Sequence, residues 1–316
     1  MTPIIAELSR KVLAGDRAGI ARAISVVEND HPGALDLLRT LYPHTGRAYR
    51  VGVTGPPGAG KSTISNKIAR HYRIEGKTVG IVAVDPTSPF TGGALLGDRV
   101  RMTDVELDTG VFIRSMASRG SLGGLSRKAK EAADILDASG MEIILFETVG
   151  VGQSELDIVR AADTTVVVLV PESGDSIQAM KAGLMEIADF FVVNKSDRAG
   201  AEQAVMAIRT VLNFKQQGEE WRPEVLQAVA SEGKGIAEIA ATIGAHRKYL
   251  TTGDRLGRKR AGHLAERIRE MVAERLHVEF WTDSRRLLLD RMLGDLTARK
   301  ESPYDIVERL LKEGGA

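Results

Sequence analysis

The sequence predicts a doubly wound α/β protein: a mainly parallel sheet, with a helical extension before it and a helical arm after it. Three observations carry this. From residue 49 onward, apolar runs alternate with amphipathic segments. Several runs, such as Ile143-Ile144-Leu145-Phe146 and Val166-Val167-Val168-Leu169-Val170, are apolar at every position, as strands covered on both faces are. A glycine-rich loop also lies between the first run and the first helical pattern.

In chain order, residues 1–46 carry apolar positions at helical spacing: Ile5, Leu8 and Val12, then Ile20, Ala23, Ile24 and Val27, then Leu35, Leu38 and Leu41. Gly15-Asp16, Pro32-Gly33 and Pro43 break the pattern, so this extension reads as a small group of helices. Residues 47–252 read as the sheet domain. Its strands are expected over 49–54, 78–84, 111–114, 142–146, 164–170, 190–193 and 224–229. Helices are expected between them over 62–72, 125–138, 156–161, 176–187, 201–212 and 236–250. Past Thr252-Gly253-Asp254, residues 253–316 become densely charged and helical. Leu264, Ile268, Met271, Val272 and Leu276 form an apolar stripe, followed by Leu287, Leu288, Leu289 and Leu293, then Ile306, Val307, Leu310 and Leu311. So slender an arm cannot build its own core. Its stripe either folds back on the sheet domain or pairs with a second copy of the chain, and the dimer is the favoured reading. Arg258-Lys259-Arg260 is soon followed by Glu266 and Glu270 and reads as a solvated helix face.

Composition excludes several classes. With 43% hydrophobic and 27% charged residues the chain is globular, and no apolar run approaches the roughly 20 residues that span a bilayer. A formal net charge of +1 gives no basic excess for a nucleic-acid partner. Cysteine is absent, which removes disulfides, thiolate metal sites and thiol nucleophiles and fits a reducing cytoplasm. The histidines (His31, His44, His71, His246, His263 and His277) are scattered rather than clustered, which disfavours a metal carrier. The first residues have neither a secretory signal pattern nor that of a transit peptide, so a cytoplasmic location is expected.

Gly55-Pro56-Pro57-Gly58-Ala59-Gly60-Lys61-Ser62 matches the phosphate-loop pattern G-x-x-x-x-G-K-[ST] at every fixed position. Its glycines let successive backbone N–H groups curl around phosphates, Lys61 reaches the terminal ones, and the Ser62 hydroxyl faces Mg²⁺. Thr63 follows in the first turn of the helix, whose free N–H groups and dipole favour an anion. Far downstream, Asn194-Lys195-Ser196-Asp197 ends an apolar, partly β-branched run, where open α/β sheets place ligands. Guanine offers two adjacent donors that one carboxylate can accept and adenine does not, so Asp197 would select guanine. Asn194 would brace the loop and touch the ring edge, and the Lys195 stem would lie along the ring face. Ala230, after the last strand, can offer its N–H to the guanine carbonyl, although Ser231 is equally reasonable there as a helix cap. The expected cofactor is therefore Mg²⁺ with GTP or GDP.

Transfer of a phosphoryl group to water also needs metal-holding acids and elements that sense the γ phosphate. Asp85 ends the second strand before Pro86-Thr87-Ser88-Pro89, and Glu147 ends a strong apolar strand and opens Glu147-Thr148-Val149-Gly150. In that pattern the acid holds metal-bound water and the Gly150 N–H reads the γ phosphate; either acid could instead cap a helix or end a solvated strand. Asp98 is a further candidate metal ligand. No glutamine directly follows Gly150, the nearest being Gln153, so slow intrinsic hydrolysis accelerated by a partner is expected. Residues 115–125 and 171–181 are either moving parts beside the crevice or plain connections.

Taken in order, the segments Gly55–Ser62, Val84–Pro89, Gly97–Met102, Arg114–Gly120, Glu147–Ser154 and Asn194–Asp197 resemble the MeaB/ArgK family of P-loop GTPases, within the wider SIMIBI class, over about residues 1–313. The resemblance implies GTP-gated delivery of adenosylcobalamin to methylmalonyl-CoA mutase, protection of that enzyme from inactivation, and a homodimer joined through the C-terminal arm. It implies that Lys61, Ser62, Asp85, Asp98 and Glu147 serve phosphates and Mg²⁺, and that residues 170–181 signal to the mutase, with Gln178 and Lys181 as reporters. Members of the family have also been called amino-acid transport-system kinases, which leaves a nucleotide-dependent protein kinase as the alternative.

Overall fold

Each expected apolar run forms a strand. In the computed structural model, which describes residues 2–85, 105, 107–117, 127–148, 157–171, 183–215, 221–297 and 299–312, seven strands join into one sheet. They are β1 (Tyr49–Thr54), β2 (Val79–Asp85), β3 (Val111–Ala117), β4 (Ile143–Thr148), β5 (Thr164–Leu169), β6 (Phe190–Val193) and β7 (Val225–Gln227). Their spatial order is β3-β2-β4-β1-β5-β6-β7, and every pairing is parallel. A parallel sheet sends the C-terminal ends of all its strands to one edge, so the last residues of β1, β2, β4, β6 and β7 lie there.

Side-chain alternation sorts the strands onto two faces. Val82, Val84, Ile144 and Phe146 face α1 (Pro3–Leu13), α2 (Arg17–Glu28), α3 (Ala34–Leu41) and α5 (Arg127–Ala138). Val167, Leu169, Phe191 and Val193 pack with α6 (Leu184–Ile187) and α7 (Ala201–Lys215). Val53, Ile81, Leu145, Val166 and Val192 pack instead against α4 (Lys61–Ile74) and α8 (Ile236–Thr251). The N-terminal helices thus share a core with the sheet. Asp16 caps α2 by accepting from the Gly19 N–H at 2.6 Å, and Arg17 donates to the carbonyls of Thr109 and Val111 beside edge strand β3.

Internal contacts divide the chain after Leu256. The second unit holds α9 (Arg255–Phe280), most of which lies past that point, with α10 (Asp283–Thr297) and α11 (Pro303–Lys312). Its small core joins Met292, Ile306 and Leu310 to Phe280, Trp281, Leu288, Leu289 and Leu296. No residue of α9 is buried, and Leu264, Ile268, Met271, Val272 and Leu276 lie open along it. Among the described residues no helix is long and apolar enough to cross a membrane.

Two expected helices fall partly outside the described residues, and one expectation needs correction. Of the helix expected over 156–161, the described part is helical at Asp157 and continues as the 3-10 turn Ile158–Arg160, with Ile158 lying over Gly52. Of the helix expected over 176–187, only Leu184–Ile187 lies among the described residues. In α3 the buried positions are Ala34, Leu37 and Leu41, which turns Leu35 outward at 58% exposure.

The edge opposite the loop cluster is held by charge. Arg50 on β1 meets Asp134 at 2.8 Å and Asp137 at 3.2 Å, both on α5. Asp137 also accepts the N–H groups of Gly46, Arg47 and Ala48, at 2.8, 3.1 and 3.0 Å, and Asp163 accepts that of Arg50 at 2.9 Å. Burial alone would disfavour the Arg50 charge; the carboxylates of Asp134, Asp137 and Asp163 outweigh it and hold the guanidinium above its ordinary range. Removing the Asp137 carboxylate leaves Arg50 to Asp134 alone among the α5 acids and takes the acceptor from three N–H donors. Asp137→Ala is therefore expected to cost roughly 3 kcal/mol or more of unfolding free energy, measured by urea titration.

Candidate nucleotide site

The turn between β1 and α4 is shaped by glycine. Gly55 sits at φ +136°, where an added Cβ would lie 2.0 Å from the Val168 carbonyl oxygen, and Gly60 at φ +88°, where one would lie 2.3 Å from Asn194 Nδ2. Only glycine lets the loop come this close to β5 and to the end of β6. Gly60 also stands at the cap position of α4 and makes no side-chain cap bond to the first turn, Lys61, Ser62 and Thr63, a helix end that favours an anion. The Lys61 ammonium is buried and donates to the carbonyls of Gly55 at 2.8 Å and Pro56 at 3.0 Å, inside the loop that its motif devotes to phosphates.

The acid opposite is placed by strand parity. Glu147 shares the parity of Ile143 and Leu145, so it faces α4, and its carboxylate accepts a hydrogen bond from the Ser62 hydroxyl. Thr148, of the other parity, bonds Thr54 at 3.0 Å on the opposite face, which ties the end of β4 to the last residue before the phosphate loop. A hydroxyl and a carboxylate in contact are hard oxygen donors. They fit Mg²⁺, which is usually held by one or two protein oxygens together with substrate phosphates. Asp85 ends β2, its backbone paired with Ala117 of β3 one step past the pair Val84 and Thr148.

Asn194 joins the two motifs. Its amide donates to the Ala59 carbonyl at 2.9 Å and accepts the Ala230 N–H at 3.1 Å, so one buried side chain touches the phosphate loop and the turn after β7. Lys195, at φ +56°, reaches across to the Gly58 carbonyl at 2.9 Å. Ser196 bonds the Ala228 carbonyl through both its N–H and its hydroxyl, each at 3.0 Å. Asp197 stays exposed at the rim. Nearby, the Glu232 carboxylate holds the exposed Lys234 ammonium above its ordinary value, with Asp197 adding to the effect.

The structure therefore brings Gly55, Pro56, Pro57, Gly58, Ala59, Gly60, Lys61, Ser62, Glu147, Asn194, Lys195 and Ala230 to one edge of the sheet. The Ala230 N–H, expected to meet the base, is bonded to Asn194. Asp98, Gly150, Gln178 and Lys181 lie outside the described residues, as does the whole of 118–126. Sequence reading missed the Thr54–Thr148 bond. Two threonines at the ends of apolar strands were the only signal for it.

Comparison with known proteins agrees with this geometry. The family model described as methylmalonyl-CoA mutase-associated GTPase MeaB matches residues 20–285. A putative GTPase of Pyrococcus abyssi is 46% identical over 313 residues, covering 98% of this chain and 97% of its own length. The GTPase ArgK of Escherichia coli is 38% identical, covering 85% of this chain and 84% of its own. A mouse mitochondrial homolog of methylmalonic aciduria type A is 35% identical, covering 79% of this chain and 64% of its own. The crystal structure of a LAO/AO transport system kinase superposes with a TM-score of 0.76 at 30% identity, over 99% of this chain and 98% of that one. With the phosphate loop, its acid and the Asn194 bridge folded onto one sheet edge, and a family model matched from residue 20 to residue 285, this chain belongs to the MeaB family of methylmalonyl-CoA mutase-associated GTPases.

Proposed function

We propose that this protein binds and hydrolyses GTP with Mg²⁺ and uses its nucleotide state to gate the loading of adenosylcobalamin onto methylmalonyl-CoA mutase, which it protects from inactivation. The observation that carries the nucleotide part is the single Asn194 side chain joining the phosphate loop to the base turn, with Ser62 and Glu147 in contact beside it. The family description and the name of the mouse relative support the mutase as partner.

In this reading the first-turn N–H groups of α4 and the Lys61 ammonium hold the phosphates, and Lys61 exchanges its loop carbonyls for phosphate oxygens. Ser62 and Glu147, with Asp85 and Asp98, hold the metal, which when bound neutralises charge on the β and γ phosphates. Asp197 accepts the two guanine donors at the open rim, and Gly150 senses the γ phosphate. With no glutamine directly after Gly150, hydrolysis is slow until the partner acts. Gln178 and Lys181 report the nucleotide state to the mutase. The exposed stripe on α9 supports a homodimer through the C-terminal arm.

The superposed crystal structure is that of a protein named as a kinase, which favours a second reading, a nucleotide-dependent protein kinase. GTP turnover measured with and without mutase, followed by a search for labelled phosphoprotein from γ-labelled nucleotide, separates the two. Stimulated turnover with no labelled protein supports the gate; a labelled protein with no effect of mutase supports the kinase.

Three outcomes follow from the site and the arm. Asp197→Asn replaces an acceptor pair with one donor and one acceptor; it is expected to weaken GTP roughly 100-fold and to strengthen xanthosine triphosphate, measured by competition calorimetry. Gly60→Ala puts a Cβ against Asn194 and is expected to weaken GDP at least about tenfold in the same assay, without unfolding the chain. Ile268→Glu with Val272→Glu is expected to convert a dimer to a monomer in sedimentation equilibrium, with GDP affinity unchanged.

A further inference from the structure

We propose that Asn66 is a positioning residue for the metal–nucleotide site, holding a water one helical turn below Ser62 that orients the Ser62 hydroxyl and the Glu147 carboxylate. The proposal rests on the Mg²⁺-dependent nucleotide reading above. Asn66 lies on α4 four residues after Ser62, so the two share a face of the helix that packs on the sheet. It is 4% exposed, and its amide oxygen Oδ1 is buried with no hydrogen-bond partner. The hydroxyl of the neighbouring Ser65, wholly buried three residues after Ser62, is in the same condition. An amide oxygen taken out of water without a partner costs stability, a cost that an apolar side chain at this position would not carry. Such a group calls for an explanation, and a polar site able to hold water is one.

Position supplies the rest. Residues four apart on a helix have Cβ atoms about 5–6 Å from each other, within reach of one bridging water, and Asn66 Oδ1 makes no direct bond to Ser62. The polar atoms such a water would meet are Asn66 Oδ1 below and the Ser62–Glu147 pair above, with Ser65 Oγ on the same helix face. Outer partners of this kind fix the orientation of metal-holding groups and change metal affinity when they are removed. Asn66 touches neither nucleotide nor metal in this account; it acts through Ser62 and Glu147.

The test is the Mg²⁺ concentration that half-saturates slow release of a fluorescent GDP analogue, read by stopped flow on the full chain, together with thermal melting. Asn66→Leu removes the amide oxygen that holds the water and is expected to need about five- to tenfold more Mg²⁺, with the melt showing that the variant is folded. Asn66→Asp keeps the acceptor oxygen and is expected to stay at or below the wild-type midpoint, which also covers the case in which the leucine variant folds poorly. An Asn66→Leu midpoint equal to wild type, or a shift of similar size in Asn66→Asp, overturns the proposal. If wild type itself shows no Mg²⁺ dependence, the failure lies with the nucleotide reading rather than with Asn66.

Discussion

The geometry of the site depends on the side chain of Asn194. Phosphate loop and base turn come from strands at different places in the sheet, β1 near its centre and β7 at its edge. One amide, donating to the Ala59 carbonyl and accepting from the Ala230 N–H, sets their separation. It can do so because Gly60 has no side chain, which leaves room for the Asn194 amide against the loop backbone. An amide is suited to this task, since it alone among short side chains offers a donor and an acceptor in one rigid plane.

Around that bridge, strand parity allocates the chemistry. Glu147 and Thr148 are neighbours, yet the pleat sends one to α4 and the other to the opposite face. The acid meets Ser62 on the helix that begins at the phosphate loop. The threonine meets Thr54 in the strand that leads into it. The end of β4 is thereby held to the loop on both sides of the sheet, so a displacement there reaches the first turn of α4 and the root of the loop together. At the other pole, the Arg50 network binds β1 to α5 and gives the loop edge a rigid base to move against.

Much of this was legible in the sequence because its signals are local. Continuous apolar runs such as residues 143–146 can be little but buried strands, and the phosphate loop announces itself by glycines whose positive φ values no other residue accepts cheaply. What stayed hidden depends on residues far apart in the chain. Asp137 reads as one more charged residue of an amphipathic helix, and only the fold brings three backbone N–H groups from residues 46–48 to it. Ala230 was expected to offer its N–H to a base, and nothing in its neighbours points to Asn194. The stripes Leu35–Leu38 and Ala34–Leu37 differ by one step of helical phase, which the sequence leaves open until the start of α3 at Ala34 is known. Asn66 was equally silent, being a polar residue in a helix with nothing to show that it is buried.

The central claim is that one crevice, closed by Asn194, holds phosphates at one end and guanine at the other. Calorimetric titration of the wild-type chain with GDP and, separately, ADP in Mg²⁺ tests it most directly. The account predicts one site per chain, with GDP bound at least about a hundredfold more tightly than ADP, since adenine lacks the donor pair for which Asp197 is proposed as acceptor. Equal affinity for the two nucleotides, or no binding of either, would contradict it.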